Sequence, residues 1–414
     1  MSPKGSPVCL LGHGNYCNER CSSTVFKYLL VVPIVFLLFF NYFNIYVANA
    51  KQLNYNYQYI ERIIKDYMDR QYSSLQDSKV SNFDDIVADK YLLDILKETI
   101  QYKIDFYSEI NKKVLGYKLS ISNIETKLEN GRIVAHILSN TELTFQKDEF
   151  EPYTYLEEIE HIIVIENIKD AWKITKDIYD ELGAPNESAI NDLNYNKNFY
   201  DMFKKNKIPV KEKAKLSKKL QDSISQYSVD ETQNRTSLAS TQMFYSTAIE
   251  STSLDKAVEY ARKWALSYNP EYKKYDNDCT NFVSQILYAA GFKTDSTWKP
   301  YTNAWIQVEA FHDYLVDKKG FNSYEYSSGD EAGNAANNAT VGDVIQFYNI
   351  TKLRYSHTVY ATKRVWRSER GTYDILYCGH SSARLDYSLI DAFESSSYYT
   401  RLRVIKIYYG PLIA

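Results

Sequence analysis

The 414-residue chain lacks a surplus of either charge: 49 basic and 52 acidic side chains leave a net charge of −3. A nucleic-acid-binding surface draws on a strongly basic face, so that class of partner is excluded. Cysteine is scarce. Of five, Cys9, Cys17 and Cys21 fall in the first 21 residues, which leaves only Cys279 and Cys378 beyond them. That excludes a disulfide framework and leaves either one bridge or a working thiol. No internal repeat occurs, and a chain of this length divides into two or three domains rather than enlarging one core.

One apolar run does stand out, Tyr28 to Phe40, which carries no charge and follows Lys4, Arg20 and Lys27. It is short for a bilayer span and suits the core of a signal peptide. It reaches Val47 only across Asn41 and Asn44, and Ala48-Asn49-Ala50 after it has the small-residue spacing of a signal-peptidase site. Two readings of residues 1–50 stay open, a cleaved signal peptide and an uncleaved membrane anchor. Either one exports the rest, with the positive flank left inside, and predicts an extracellular or cell-surface protein. His13 lies among the three leader cysteines, but a short polar leader fits disorder better than a metal site.

Residues 51–182 read as an α+β accessory domain. Tyr57, Ile60, Ile64, Tyr67 and Met68, then Leu92, Leu93, Leu96, Ile100 and Ile104, recur at helical steps. After Val114 the period becomes two: Leu119 and Ile121, a turn at Asn130-Gly131, then Val134, His136 and Leu138. A second hairpin is predicted from Tyr153 to Ile165 and Trp172 to Tyr179, turning between Asn167 and Asp170. Helices followed by an antiparallel meander resemble the cystatin-like or NTF2-like cone in element order. His136 and His161 are expected to be half-exposed strand residues. Residues 183–250 read as a linker, broken by Gly183, Pro185 and Pro209 and rich in Ser, Thr, Asn and Gln after Ser223, with a helical stretch between Phe199 and Leu220. The lysine-rich run there (KKNKIPVKEKAKLSKK) is expected to be a solvated linker; attachment to anionic wall polymers is the alternative.

Residues 251–414 carry the chemistry. Ser253 can cap a helix with an apolar stripe through Ala257, Tyr260, Ala261, Trp264 and Ala265. Next comes YDNDCTNFVSQILYAAGF. Asp278 suits an N-cap; Cys279, Phe282, Val283, Ile286, Leu287 and Ala290 share one helix face, and Gly291 ends it. Cys279 then sits in the first turn, where the helix dipole and free N–H groups favour a thiolate and can hold an oxyanion. A thiolate nucleophile needs an imidazole. His357 starts the predicted strand Ser356 to Ala361, after the turn and strand Val341 to Phe347, and His380 follows a third strand, Tyr373 to Tyr377. Both can point at one helix start.

Asp-Cys-Thr-Asn-Phe-Val-Ser-Gln, Gly-Asp-Val-Ile-Gln, Ser-His-Thr-Val and a later strand ending in Gly-His resemble the putative amidase domain family of Gram-positive exported proteins, from Leu254 to the C-terminus. That family looks related to the papain-like NlpC and CHAP cell-wall peptidases. The resemblance implies a papain-like α+β domain with Cys279 as nucleophile, His357 as base and His380 orienting His357, with Asp374 the alternative for that third role. It further implies hydrolysis of an amide in peptidoglycan through a thioester, without cofactor or metal. A zinc site from Cys279, His357 and His380 would need a further ligand. Cys378 shares a strand face with His380, so a bridge to Cys279 would disable the site. A Tyr275 hydroxyl at the oxyanion is a weaker expectation, and Trp298, Trp305 and His312 are expected to pack. The rival reading is an inactive wall-binding or scaffold protein with an amidase-like domain.

Overall fold

The computed structural model describes residues 58–225, 253–326 and 339–409. Contacts divide the chain into Met1–Glu61 and Arg62–Ala414, and the elements named here belong to the second unit. The expected leader, with its signal or anchor segment, lies outside the described residues. Among the described residues no helix is long and apolar enough to cross a membrane.

The N-terminal half is helical and then antiparallel, as the change of period predicts. Helix α1 (62–76 within this unit) and α2 (Lys90–Glu109) lie before a meander of β1 (Lys112–Glu129), β2 (Arg132–Lys147), β3 (Tyr153–Ile168) and β4 (Ala171–Tyr179). Asn130 and Gly131 both adopt positive φ (53° and 80°) between the paired Glu129 and Arg132, the two-residue turn that Asn-Gly favours. Lys169 and Asp170 repeat the device before β4, with φ of 53° and 66°.

The C-terminal half is built on a six-stranded antiparallel sheet in the order β5-β10-β6-β7-β8-β9. Its strands are β5 (Ser323–Tyr326), β6 (Val344–Asn349), β7 (Arg354–Arg367), β8 (Thr372–Gly379), β9 (Arg384–Ser388) and β10 (Tyr399–Ile405). One face carries Val344, Tyr360, Cys378 and Ile405. Against it pack α5 (Ser253–Trp264), α6 (Cys279–Ala289), α7 (Asn303–Ile306) and α8 (Val308–Asp313). The other face carries Ile345, Phe347, Val359, Ala361, Ile375 and Tyr377, covered by Leu389, Ile390 and Phe393 of α9 (Leu389–Ser395).

That second face changes the reading of residues 183–225. They form α3 (Tyr195–Asn206) and α4 (210–225), and Leu216, Leu220 and Ile224 of α4 are buried in the same cluster as Phe347 and Tyr377. The composition misled because Lys211, Lys215 and Lys218 occupy the outer face, while the apolar residues recur at four-residue steps beneath them. The stretch expected as a linker is thus part of the core as far as residue 225; residues 226–252 lie outside the description.

Buried charges join the two halves. Lys112 of β1 meets Asp391 at 3.3 Å and Glu394 at 2.9 Å on α9, with its ammonium 4.1 Å from the Phe145 ring centre. Arg370 pairs with Asp391 and donates to the Tyr153 hydroxyl at 2.8 Å. Glu181 accepts from the Ser397 amide at 3.0 Å and meets Lys103 at 3.3 Å.

Candidate active site

The octapeptide from Asp278 to Gln285 folds as the start of α6, and nearly every polar member has a fixed partner. Thr280 Oγ1 lies 3.1 Å from Thr358 Oγ1 on β7. Asn281 donates to Asp278 at 2.9 Å and to the Lys273 carbonyl at 3.1 Å, and accepts from the Trp305 indole at 2.9 Å. Ser284 donates to the Trp305 carbonyl and accepts from the Trp298 indole at 3.1 Å. Gln285 accepts from the Tyr260 hydroxyl at 2.9 Å. Trp298 and Trp305 are packing residues, as expected, and they lock the helix. Gly291 closes it at φ 98°, a conformation that favours glycine.

Cys279 sits where the pattern put it, in the first turn of α6 against β7. Its thiol lies 3.8 Å from Thr280 Oγ1, and the Thr358 N–H also faces it. The expected thiolate bias does not dominate, however. Burial pushes the Cys279 thiol up, and the hydrogen bonds from Thr358 and Thr280 offset this only in part. Cys378 is buried beside Tyr360 and Cys279 is also a free thiol, so no bridge joins them.

His380 lies on the same side of the sheet as Cys279. Its Nδ1 is 2.7 Å from Asp278 Oδ2, its Nε2 is 2.8 Å from the Trp264 carbonyl, and its ring stacks on Phe282 with centres 3.8 Å apart. Both polar neighbours are acceptors, so both contacts are satisfied together when both ring nitrogens carry protons. Asp278 therefore does not cap the helix with its side chain, contrary to expectation. Its carboxylate accepts instead from the Tyr275 amide, Asn281 and His380, and its own N–H donates to Ser381 Oγ at 2.8 Å.

His357 does not reach Cys279. The strand begins at Arg354, and a bulge separates the Phe347–His357 pair from the Tyr348–Tyr355 pair. Successive strand residues alternate faces and a bulge re-aims them, so Thr358 and Tyr360 face α6 while His357, Val359 and Ala361 face away. The His357 ring lies 6.1 Å from Phe347 and beside Gly379, is 1% exposed, and its Nδ1 has no hydrogen-bond partner. Burial lowers its pKa from 6.5 to about 4. Since the two histidines lie on opposite faces, His380 does not orient His357, and the three residues make no zinc set.

The alternative third residue, Asp374, is also elsewhere. It accepts from Ser388 Oγ at 2.6 Å and from the Ile390 amide at 3.3 Å, at the start of α9, and burial pushes its carboxyl up to about 6. Tyr275 is half-buried, with the Lys273 ammonium 5.0 Å from its ring centre. His161 differs from its expected half-exposed state. It is buried between Asp177 (2.8 Å) and Ser139 (3.2 Å), because its strand face turns inward beneath the helices, whereas His136 is half-exposed as expected.

Three comparisons bear on this geometry. Residues 251–402 match the model of the putative amidase domain family. An amidase-like function of this segment follows at family level. The uncharacterized protein YjcM of Bacillus subtilis is 39% identical over 116 residues, covering 26% of this chain and 27% of that protein. The uncharacterized protein YhbB of the same organism is 26% identical over 158 residues, covering 35% of this chain and 45% of that protein. The chain thus spans about a quarter and under half of the length of these two relatives. The match to the solved intermembrane-space region of the chloroplast protein ARC6 covers 30% of this chain and 94% of that one, at 12% identity and a TM-score of 0.23.

Sequence reasoning missed Asp278 as the partner of His380 and Thr358 as the strand residue that meets the start of α6 at Cys279 and Thr280. The adjacency of Asp278 to Cys279 was the available signal. An acid beside a helix-start cysteine can turn either into the helix, as a cap, or outward to an imidazole.

Proposed function

We propose that residues 253–405 hydrolyse an amide by thiol chemistry, with Cys279 as nucleophile and His380, held by Asp278, as its imidazole. The observation that carries this reading is the 2.7 Å His380–Asp278 contact at the residue preceding Cys279, on the sheet face that α6 covers. The family match favours amide hydrolysis as the reaction. In the resting arrangement Nε2 is engaged by the Trp264 carbonyl. To act as base, the ring must release that carbonyl and one proton, keeping the Nδ1–H donated to Asp278. The thiol proton then passes to Nε2 as sulfur bonds to the carbonyl carbon, and the tetrahedral oxyanion meets the N–H groups at the start of α6. Collapse breaks the C–N bond, the imidazolium gives its proton to the amine, and water hydrolyses the thioester. Asp278 fixes the tautomer and supports the imidazolium.

The same reading extends to place and substrate. An apolar leader with a basic flank favours export, and an exported papain-like amidase acts on peptide amides of the cell wall; peptidoglycan is therefore the proposed substrate, and the leader, if uncleaved, the membrane tether. The burial of Cys279 and the remote His357 favour a second reading, an inactive wall-binding or scaffold protein. Mass spectrometry of purified wall digested with the parent and with Cys279→Ala, His380→Ala and His357→Leu separates them. The proposal requires new amine termini from the parent and from His357→Leu, and a loss on the order of 10²-fold or more in His380→Ala. Loss with His357→Leu but not His380→Ala returns the base role to His357; no cleavage by the parent, with Cys279 inert to a thiol reagent at neutral pH, supports the scaffold.

A further inference from the structure

Away from Cys279, a cavity of about 210 Å³ opens where β4, α3, the β6–β7 turn and the start of β10 meet. We propose that it binds one ring of a neutral saccharide. Its walls are aromatic: Tyr195 and Phe199 lie one turn apart on α3 with ring centres 6.1 Å apart, and Phe199 meets Tyr398 edge-on at 5.1 Å. Its polar edge carries Asp180 and Lys352, paired at 2.5 Å. The Asp180 carboxylate is already used in full, accepting from Lys352, from the Tyr399 hydroxyl at 2.7 Å and from the Leu182 and Gly183 amides at 3.2 Å. A cationic ligand would have to displace Lys352, and an anionic one would face that buried carboxylate. The cavity therefore selects a neutral guest.

Two lining groups are free to bind one. The Tyr195 hydroxyl and the exposed Asn198 carboxamide have no hydrogen bond to other described residues, and the Lys352 ammonium, one-third exposed, retains further N–H donors. The hydroxyl and the amide both donate and accept, which matches a ring carrying several hydroxyls. The aromatic faces match the apolar C–H face of the same ring. A volume below the roughly 300–1,000 Å³ of drug-sized sites suits a single ring better than a chain. This site stands whether or not the chain cleaves amides.

The test uses the full exported chain and its Asn198→Ala and Tyr195→Phe variants, which change one exposed amide and one hydroxyl and leave the core in place. Binding of N-acetylglucosamine, glucose and N-acetylglucosamine oligomers is followed by saturation-transfer NMR and calorimetry, with a zwitterionic dipeptide as control. At least one saccharide is expected to bind, with about tenfold weaker binding in each variant, the effect of one lost hydrogen bond. No saccharide binding at millimolar concentration overturns the proposal, as does binding that both variants leave unchanged, or binding of the dipeptide in place of the sugars. Cys279→Ala should bind as the parent does, so a failed amidase assay leaves this result intact.

Discussion

His357 makes a quantitative demand on stability. Its ring is 1% exposed, its Nδ1 is unpartnered, and burial lowers its pKa from 6.5 to about 4. A base with a depressed folded pKa is protonated more readily in the unfolded chain. Its contribution is therefore complete above the unfolded value of 6.5 and is lost as pH falls toward 4. At about 1.36 kcal/mol per pH unit, this one side chain should remove about 3 kcal/mol between pH 7 and pH 4. That is a large share of the ~5–15 kcal/mol that holds a typical domain folded.

The parent alone would not show the effect, because Asp374 works against it. Its folded pKa is raised from 3.8 to about 6, so it adds stability as pH falls through 6, to a similar total. Glu394, lowered from 4.5 to about 2, acts mainly below pH 4.5. The measurement is therefore a difference: urea unfolding of the parent and of His357→Leu from pH 7 to pH 4. Relative to its pH 7 value, the leucine variant should gain about 3 kcal/mol on the parent by pH 4. A difference constant to within about 0.5 kcal/mol across that range would mean that His357 is hydrated or paired in solution, and would undo the assignment of its face.

Lys112→Met should destabilise the protein by about 3 kcal/mol, because it leaves the buried Asp391 and Glu394 with Arg370 as their one remaining ion-pair partner among the described residues; chemical unfolding measures this. A chain beginning at Ser253 loses Leu216, Leu220 and Ile224 from over Phe347 and Tyr377. It should aggregate or unfold without a cooperative transition, and a soluble, cooperative fragment would make α4 dispensable. Gly342→Ala should cost about 1–2 kcal/mol for its φ of 98° alone. Repacking adds to that, since a Cβ would stand 2.7 Å from Leu254 and 2.8 Å from Tyr409; the thermal midpoint reports both.

Periodicity made the backbone legible. The Asn130-Gly131 turn, the meander, α6 and its Gly291 stop follow from local residue preferences, which need no knowledge of partners. The lysine-rich run hid α4, because net composition says nothing about which side of a helix the lysines take. Burial misdirected the thiol in a related way. A helix start favours a thiolate, but that effect is worth roughly 0.3–1 kcal/mol, and removing the charged form from water outweighs it.

The expected pairing of Cys279 with His357 failed for a narrower reason. Whether His357 or Thr358 faces α6 depends on one bulge, at Ser356, between the Phe347–His357 and Tyr348–Tyr355 pairs. Shifting register by a single residue would exchange the faces, with no change in hydrophobic content along the strand. The segment Thr358-Val359-Tyr360-Ala361 is buried on both sides, so it lacks the alternation that would have fixed the choice. His380 has no such freedom. It follows the end of β8, and Asp278, Trp264 and Phe282 hold it from three directions. If the two histidines compete for Cys279, His380 is the better candidate, because it stacks on Phe282 of α6 while His357 lies beside Phe347 on the other face. Asp278→Asn supplies the discriminating measurement. It keeps the size of the acceptor but removes the charge that supports an imidazolium, so it should slow acylation and shift the acidic limb of the pH–rate profile if His380 is the base. It should leave both unchanged if His357 is.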